Sequence, residues 1–191
     1  MYQVRHGVFE TNSSSSHSLV IMRDGFMLSP QEFLDETWVN RGKLSIYDNE
    51  YGRSPFRVLR SPQDKLAYVL AAFHGTDHFQ SIIDQLKEYV PKVKEIVFPT
   101  EYERGRNGPS FNYGYIDHQS VNIVPYAVNK GNIDPLDIVL NTKYVIIVDG
   151  DEYDEFGKLV SSGMISMDKI EKIYDLKTLY CERRNMNASD S

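Results

Sequence analysis

The chain has 191 residues and a mass of 22.0 kDa, with 21 basic and 27 acidic side chains and a formal net charge of -6. Its length fits one domain that needs no disulfides, and its single Cys excludes a disulfide framework or a Cys-based zinc site. The acidic balance argues against a broad nucleic-acid-binding surface, which needs a cationic face. No apolar N-terminal signal segment or membrane-length apolar run is present, so we expect a cytoplasmic protein with no membrane partner.

Strands and one short helix are predicted in the first part of the chain. Residues 2–9 and 17–22 carry apolar side chains at period two or its multiples, which is typical of strands. The sequence Ser29-Pro30-Gln31-Glu32 predicts a helix start, with a Ser cap, Pro at the first position and an acid in the first turn. This helix should end before Asn40-Arg41-Gly42, and alternation over 43–47 predicts another strand.

A pair of helices is predicted in the middle of the chain. Ser61-Pro62-Gln63-Asp64 repeats the helix-start signal, and Gly75 ends the apolar pattern that follows. A second helix begins at a Thr76 or Asp77 cap and stops at Pro91. The apolar stripes of the two helices must face a sheet or each other. The apolar positions are Leu66, Val69, Leu70 and Phe73 in the first helix, and Phe79, Ile82, Ile83, Leu86 and Val90 in the second.

The second half of the chain mixes strands and helices without a regular βαβ rhythm. Strands are predicted at 93–98, 142–148 and 158–165, a loop at 99–114, and helices from Asp134-Pro135 and over 166–174. We therefore predict an α+β fold with a mixed or antiparallel sheet packed against several helices, including the central pair. Residues 1–182 should form this single domain, and 183–191 a polar C-terminal tail.

A run of small polar residues near the N-terminus is the first candidate site. Thr11, Asn12, Ser13, Ser14, Ser15 and Ser16 are the residues of this run. Their hydroxyls, on a backbone able to bend into an anion-binding nest, predict a phosphate-binding loop. Arg5 could add a bidentate charge, and His17 could act as an acid or base near neutral pH. The alternative is a solvated polar turn that joins two strands.

Two further motifs carry ionisable side chains. Asp117 and His118 are adjacent and predict an acid–base pair, or else a surface turn with a hydrogen-bonded His. The segment 149–155 follows the most apolar predicted strand and holds five acids and no base. Carboxylates at such a strand end are typical of hard-cation sites, so Asp149 and Asp151 are predicted to bind Mg²⁺. The alternative is an acidic solvated turn.

The acidic segment accounts for most of the net charge. Its five carboxylates leave a charge of only -1 for the rest of the chain. Nucleic-acid binding is therefore excluded less strongly over most of the surface. A smaller cationic group, Arg53, Arg57 and Arg60, surrounds Tyr51 and Phe56 and could contact a phosphate or an acidic partner. Asp48 and Glu50 nearby favour a solvated surface instead.

The order of residues in the first motif resembles a known group of proteins. The segment Arg5-x-Gly7-Val8-Phe9-Glu10-Thr11-Asn12-Ser13-Ser14-Ser15-Ser16-His17-Ser18 is similar to the opening of uncharacterised bacteriophage and bacterial proteins. Tyr115–Ser120 and the Asp-rich end of the strand at 144–148 look like features of the same group. The resemblance implies a phage or mobile-element setting, hence the host cytoplasm, and it implies no reaction.

Three functions remain open at this point. The first is a metal-assisted enzyme of the phosphoryl-transfer or phosphoester-hydrolase type, acting on a nucleotide or other small phosphate-bearing molecule. The second is a non-catalytic phage-type protein that binds and modulates a host protein through its acidic face. The third is a virion or assembly component. In the enzyme, His17, Asp117 and His118 would transfer protons, and Mg²⁺ would be the cofactor.

Overall fold

A computed structural model describes residues 17–46, 50–51, 57–99, 115–116, 123–148 and 166–174. Within these ranges it confirms an α+β domain. The strands are β1 (His17–Met22), β2 (Val39–Asn40), β3 (Lys43–Ser45), β4 (Glu50–Tyr51), β5 (Arg57–Leu59), β6 (Glu95–Val97), β7 (Tyr115–Ile116), β8 (Tyr144–Val148) and β9 (Ile170–Tyr174). The helices are α1 (Pro30–Asp35), α2 (Pro62–Phe73), α3 (Asp77–Tyr89), α4 (Ile123–Gly131) and α5 (Pro135–Leu140).

The main sheet has four antiparallel strands in the order β5-β8-β1-β9. Strand β8 is apolar and buried at every position, as its uninterrupted Val and Ile content predicts for a strand covered on both faces. It pairs with β1 in a register that sets His17 opposite Val148 and Ile21 opposite Tyr144. The β1 prediction at 17–22 is confirmed residue for residue.

Two smaller sheets complete the described β-structure. Strands β2, β3 and β6 form a mixed sheet, in which β2 and β3 are an antiparallel hairpin and β3 and β6 are parallel. Strands β4 and β7 form a parallel pair, with Tyr51 opposite Ile116. The strands predicted at 43–47 and 93–98 correspond to β3 and β6, which are shorter than predicted.

The central helix pair is α2 and α3. Helix α2 begins as its sequence predicts, because the Ser61 hydroxyl accepts a hydrogen bond from the Asp64 amide and Pro62 occupies the first turn. It ends before Gly75, whose φ of +78° suits a residue without a side chain. Most of α2 is buried, since it packs against α3, α4, α5 and β7. Helix α3 turns Ile82, Ile83 and Leu86 toward this core.

The last described segment corrects one prediction. Residues 166–174 were predicted to be a helix, but a single 3-10 turn at Met167–Lys169 leads directly into β9. Ile170 and Ile173 lie three residues apart, which imitates a helical stripe. They share one face of the sheet because a register shift between Ile21 and Met22 of β1 skips one residue of β9.

Some predicted elements have other outcomes. Helix α4 was not predicted; it holds Pro125 in its first turn, where Pro is tolerated. The strands predicted at 2–9 and 158–165, most of the loop at 99–114 and the tail at 183–191 lie outside the described residues. Across the described residues, no helix is long and apolar enough to cross a membrane.

Candidate functional site

His17 is the predicted site residue that the structure describes. It is the first residue of β1, and none of its surface is exposed. Its Nδ1 lies 2.6 Å from the hydroxyl oxygen of Tyr68, a residue of α2 that is also fully buried. The two rings meet edge to face with centroids 5.6 Å apart. The buried pair therefore joins the main sheet to the central helix through a polar contact inside an apolar core.

Burial keeps the phenol of Tyr68 uncharged in this pair. Loss of solvent raises the pKa of the Tyr68 phenol well above its usual value, so the phenol is neutral at all physiological pH values. A neutral phenol can donate to a bare Nδ1 of His17 or accept from a protonated Nδ1, so the contact suits either tautomer of the ring. The hydrogen bond therefore fixes the orientation of the His17 ring.

Tyr51 and Arg57 extend this cluster toward the solvent. The Tyr51 ring packs edge to face on Tyr68, with centroids 4.7 Å apart, and is itself buried. The guanidinium carbon of Arg57 lies 5.2 Å from the centroid of the Tyr51 ring, a cation–π arrangement. Arg57 is half-buried. We call these four residues, His17, Tyr68, Tyr51 and Arg57, the His17 cluster.

The strand register pairs two members of the cluster, His17 and Arg57, with the same residue of β8. Val148 is the last residue of β8, and it pairs with His17 on one side and with Arg57 on the other. Directly paired residues point to the same face of a sheet. His17, Val148 and Arg57 thus form one row across three strands, at the edge where β8 ends and where β1 and β5 begin.

The small parallel sheet adds a fourth strand end to this region. Tyr51, the second residue of β4, pairs with Ile116, the last residue of β7. Ile116 also packs against the main core, and β7 contacts α2. One end of β7 therefore lies near the His17 cluster, as do ends of β1, β5 and β8.

The other predicted site residues lie outside the described residues. These are Arg5, Thr11, Asn12, Ser13, Ser14, Ser15, Ser16, Asp117, His118, Asp149 and Asp151. Their roles stay predictions. In the part of the chain that the structure describes, no group of three or more His, Cys, Asp or Glu side chains could hold a metal ion.

Lys65 is a buried charged residue that the sequence analysis missed. It lies on α2, one turn before Tyr68, and is 1% exposed. Its Nζ donates to the carbonyl oxygens of Asn141 at 2.8 Å and Tyr144 at 3.4 Å, so it ties α2 to the start of β8. Burial lowers the pKa of Lys65 to about 8. The sequence contained a sign of this burial, because Lys65 lies four residues before Val69 and therefore on the apolar face of α2.

Comparison of the chain with protein-family models, with curated proteins and with solved structures found no match in any of the three. A function for this chain therefore has to be inferred from its own residues and their geometry.

Proposed function

We propose that the sheet edge at His17, Val148 and Arg57 is the site of a metal-assisted enzyme that acts on a nucleotide or another small phosphate-bearing molecule. The observation that carries this proposal is the pairing of His17 with Val148. His17 directly follows the Ser-rich run (residues 11–16), and Val148 directly precedes the acidic segment (residues 149–155). Two motifs separated by more than a hundred residues in the sequence are thus attached to paired positions of one sheet.

Covalent geometry limits how far apart these motifs can be. Paired residues of an antiparallel ladder have Cα atoms about 5 Å apart, and each peptide bond adds about 3.8 Å. The Cα atoms of Ser16 and Asp149 are each one peptide bond from the pair, so their separation cannot exceed about 13 Å. Side chains of Ser and Asp span a gap of this size when a bound phosphate and a metal ion lie between them.

The proposed roles follow from the chemistry of each segment. The hydroxyls of the Ser-rich run and Arg5 bind the phosphate, and Asp149 and Asp151 bind a Mg²⁺ ion that offsets charge in the transition state. Asp117 and His118 follow Ile116, whose strand pairs with Tyr51 of the His17 cluster, and they transfer the proton.

The burial of His17 changes the part that we assign to it. The sequence predicts proton transfer at the substrate for His17, but a side chain with no exposed surface does not reach a substrate directly. In the proposal, the hydrogen bond to Tyr68 fixes His17 at the start of β1 and so positions the Ser-rich run that precedes it. The proton transfer is left to Asp117 and His118.

The test measures Mg²⁺-dependent phosphate release from a panel of nucleotides. The variant D149N/D151N removes both proposed ligands, and the matched control E152Q/E155Q removes the same charge from the same segment. We expect activity to fall at least about tenfold in the first variant and to stay near wild type in the second. Absence of release from every nucleotide, or equal loss in both variants, would overturn the proposal.

The second candidate function is binding to a host protein. Equal loss of that binding in D149N/D151N and E152Q/E155Q would favour it. In that candidate the acidic segment after β8 presents a negative face to a basic host protein. It predicts a stable complex from bacterial lysate that is lost on charge reversal across 149–155, together with no thermal shift from Mg²⁺ or nucleotides. A virion or assembly role predicts instead that the purified chain associates with itself.

A further inference from the structure

A second cationic region lies away from the His17 cluster, in a cavity of about 550 Å³. Helix α1, the β2–β3 hairpin and the segment between α3 and β6 line it. Arg41, Lys92 and Lys94 are its charged lining residues, and no acid lines it among the residues that the structure describes. Leu34 and Val39 supply an apolar wall. Volumes of this size are typical of small-ligand sites, which combine apolar walls with a few convergent polar groups.

These three cations have no counter-ion in the described part of the chain. The ion pair nearest in sequence joins Lys43 to Glu95, on the strands that leave the cavity. Lys92 donates to the side-chain oxygen of Gln31 at 3.3 Å, and the Gln31 amide in turn donates to Asp35. Three exposed, positively charged residues therefore line one concave surface of a protein whose net charge is -6.

The backbone at Gly42 brings the cations together. The Gly42 carbonyl accepts hydrogen bonds from the amides of Lys94 at 2.8 Å and Glu95 at 3.1 Å. A Cβ atom at position 42 would lie 3.1 Å from the Lys94 side chain and 3.3 Å from the Lys92 carbonyl oxygen. The hairpin turn is thus packed directly on the segment that carries the two lysines, and Arg41 stands beside them.

The backbone conformation of the hairpin turn does not favour an Arg at position 41. Arg41 and Gly42 are the two central residues of the hairpin turn, with φ values of +50° and +81°. Turns of this kind favour Asn or Asp followed by Gly, because few side chains tolerate a positive φ. Arg at the first position is a poor choice for the turn, so a requirement for its guanidinium is the simpler explanation.

We propose that this cavity binds a compact oxyanion with several negative charges, such as the phosphate or polyphosphate group of a small molecule. Arg41 offers the planar, bidentate donor pair that matches phosphate oxygens, and the two lysines supply point charges. A phosphate carries close to two charges at neutral pH, which suits three converging cations better than a single carboxylate does. This site is separate from the proposed catalytic edge and does not depend on it.

The experiment measures pyrophosphate binding by calorimetry in the presence of a chelator, so that no divalent cation contributes. The variant Arg41→Asn keeps a residue that suits the turn, so it should remain folded while it removes the bidentate donor. We expect its affinity for pyrophosphate to fall about tenfold, and that of R41N/K92Q/K94Q to fall below detection. The charge-matched control R23Q/K169Q/K172Q, at three exposed residues outside the cavity, should bind like the wild type.

Amide chemical shifts locate the binding and distinguish the source of the phosphate. Pyrophosphate should shift the signals of Gly42 and Lys94 before any signal of β1 or β8. A nucleoside triphosphate should compete with pyrophosphate for the same signals. The proposal is overturned if pyrophosphate does not bind, if the control variant loses as much affinity as R41N/K92Q/K94Q, or if only a long oligonucleotide binds.

Discussion

The Nδ1 atom of His17 and the hydroxyl oxygen of Tyr68 lie 2.6 Å apart, although the residues are 51 positions apart in the sequence and both are fully buried. Their hydrogen bond is a polar link between the first residue of the inner strand β1 and the middle of the central helix α2. A buried hydrogen bond of this kind specifies one packing arrangement, because any other leaves a polar atom unsatisfied.

The first prediction concerns this link. Tyr68→Phe removes the phenol hydroxyl that hydrogen-bonds to His17, and we expect the free energy of unfolding, measured with urea, to fall by about 1–3 kcal/mol. In a His17→Leu background the same substitution should cost clearly less, because both partners are then apolar. Equal cost of Tyr68→Phe in both backgrounds would show that the hydrogen bond adds no stability.

The second prediction is a pH dependence that arises from Lys65. Its folded pKa of about 8 lies below the usual value of 10.5, so between these pH values the unfolded chain binds more protons than the folded one. Stability from this group therefore rises with pH in that window, by up to about 1 kcal/mol per pH unit. Lys65→Met should abolish the rise.

The measurement is the difference between the wild-type and Lys65→Met unfolding free energies from pH 7 to 10. Subtraction removes the contributions of groups that both proteins share, among them the buried tyrosines. A difference that does not change between pH 8 and 10 would mean that Lys65 keeps its ordinary pKa. At pH 7 we expect the variant to be as stable as the wild type or more so, since an apolar side chain avoids the cost of burying a charge.

The third prediction contrasts two glycines. A Cβ atom at Gly25 would lie 2.5 Å from the backbone nitrogen of Lys143, in the segment that leads into β8. Gly25→Ala must therefore displace backbone, and we expect a loss of about 3 kcal/mol in the free energy of unfolding. Gly75 has a φ of +78° and open space around it, so Gly75→Ala should cost only about 1 kcal/mol. A similar loss in both variants would argue against the close approach at Gly25.

Local signals predicted the starts of three helices. Ser29, Ser61 and Asp134 accept hydrogen bonds from the first-turn amides of α1, α2 and α5, and each precedes a Pro. Such caps depend on residues within three positions of one another, so a sequence pattern contains them completely. The fully apolar run that forms β8 is equally local.

Long-range pairing could not be predicted in the same way. Nothing in the sequence near His17 indicates Tyr68 as its partner, because that contact exists only once β1 and α2 pack together. The helix predicted from Ser166-Met167-Asp168 was wrong because the pairing of β9 with β1, including its bulge, depends on a partner strand far away in the sequence. The motifs of the site are visible in the sequence. That two of them adjoin paired residues follows only from the register of β1 and β8.

Paramagnetic broadening of amide signals by Mn²⁺, a substitute for Mg²⁺, is the most direct test of a metal site at this strand end. If a metal binds at the edge where β8 ends, the signals of His17, Arg57 and Val148 should broaden at low Mn²⁺. Those of Ile21 and Tyr144, about 13 Å away along the strands, should broaden much less. The variant D149N/D151N should abolish the selective broadening. Broadening that is uniform, or that is centred on residues distant from Val148, would contradict the account.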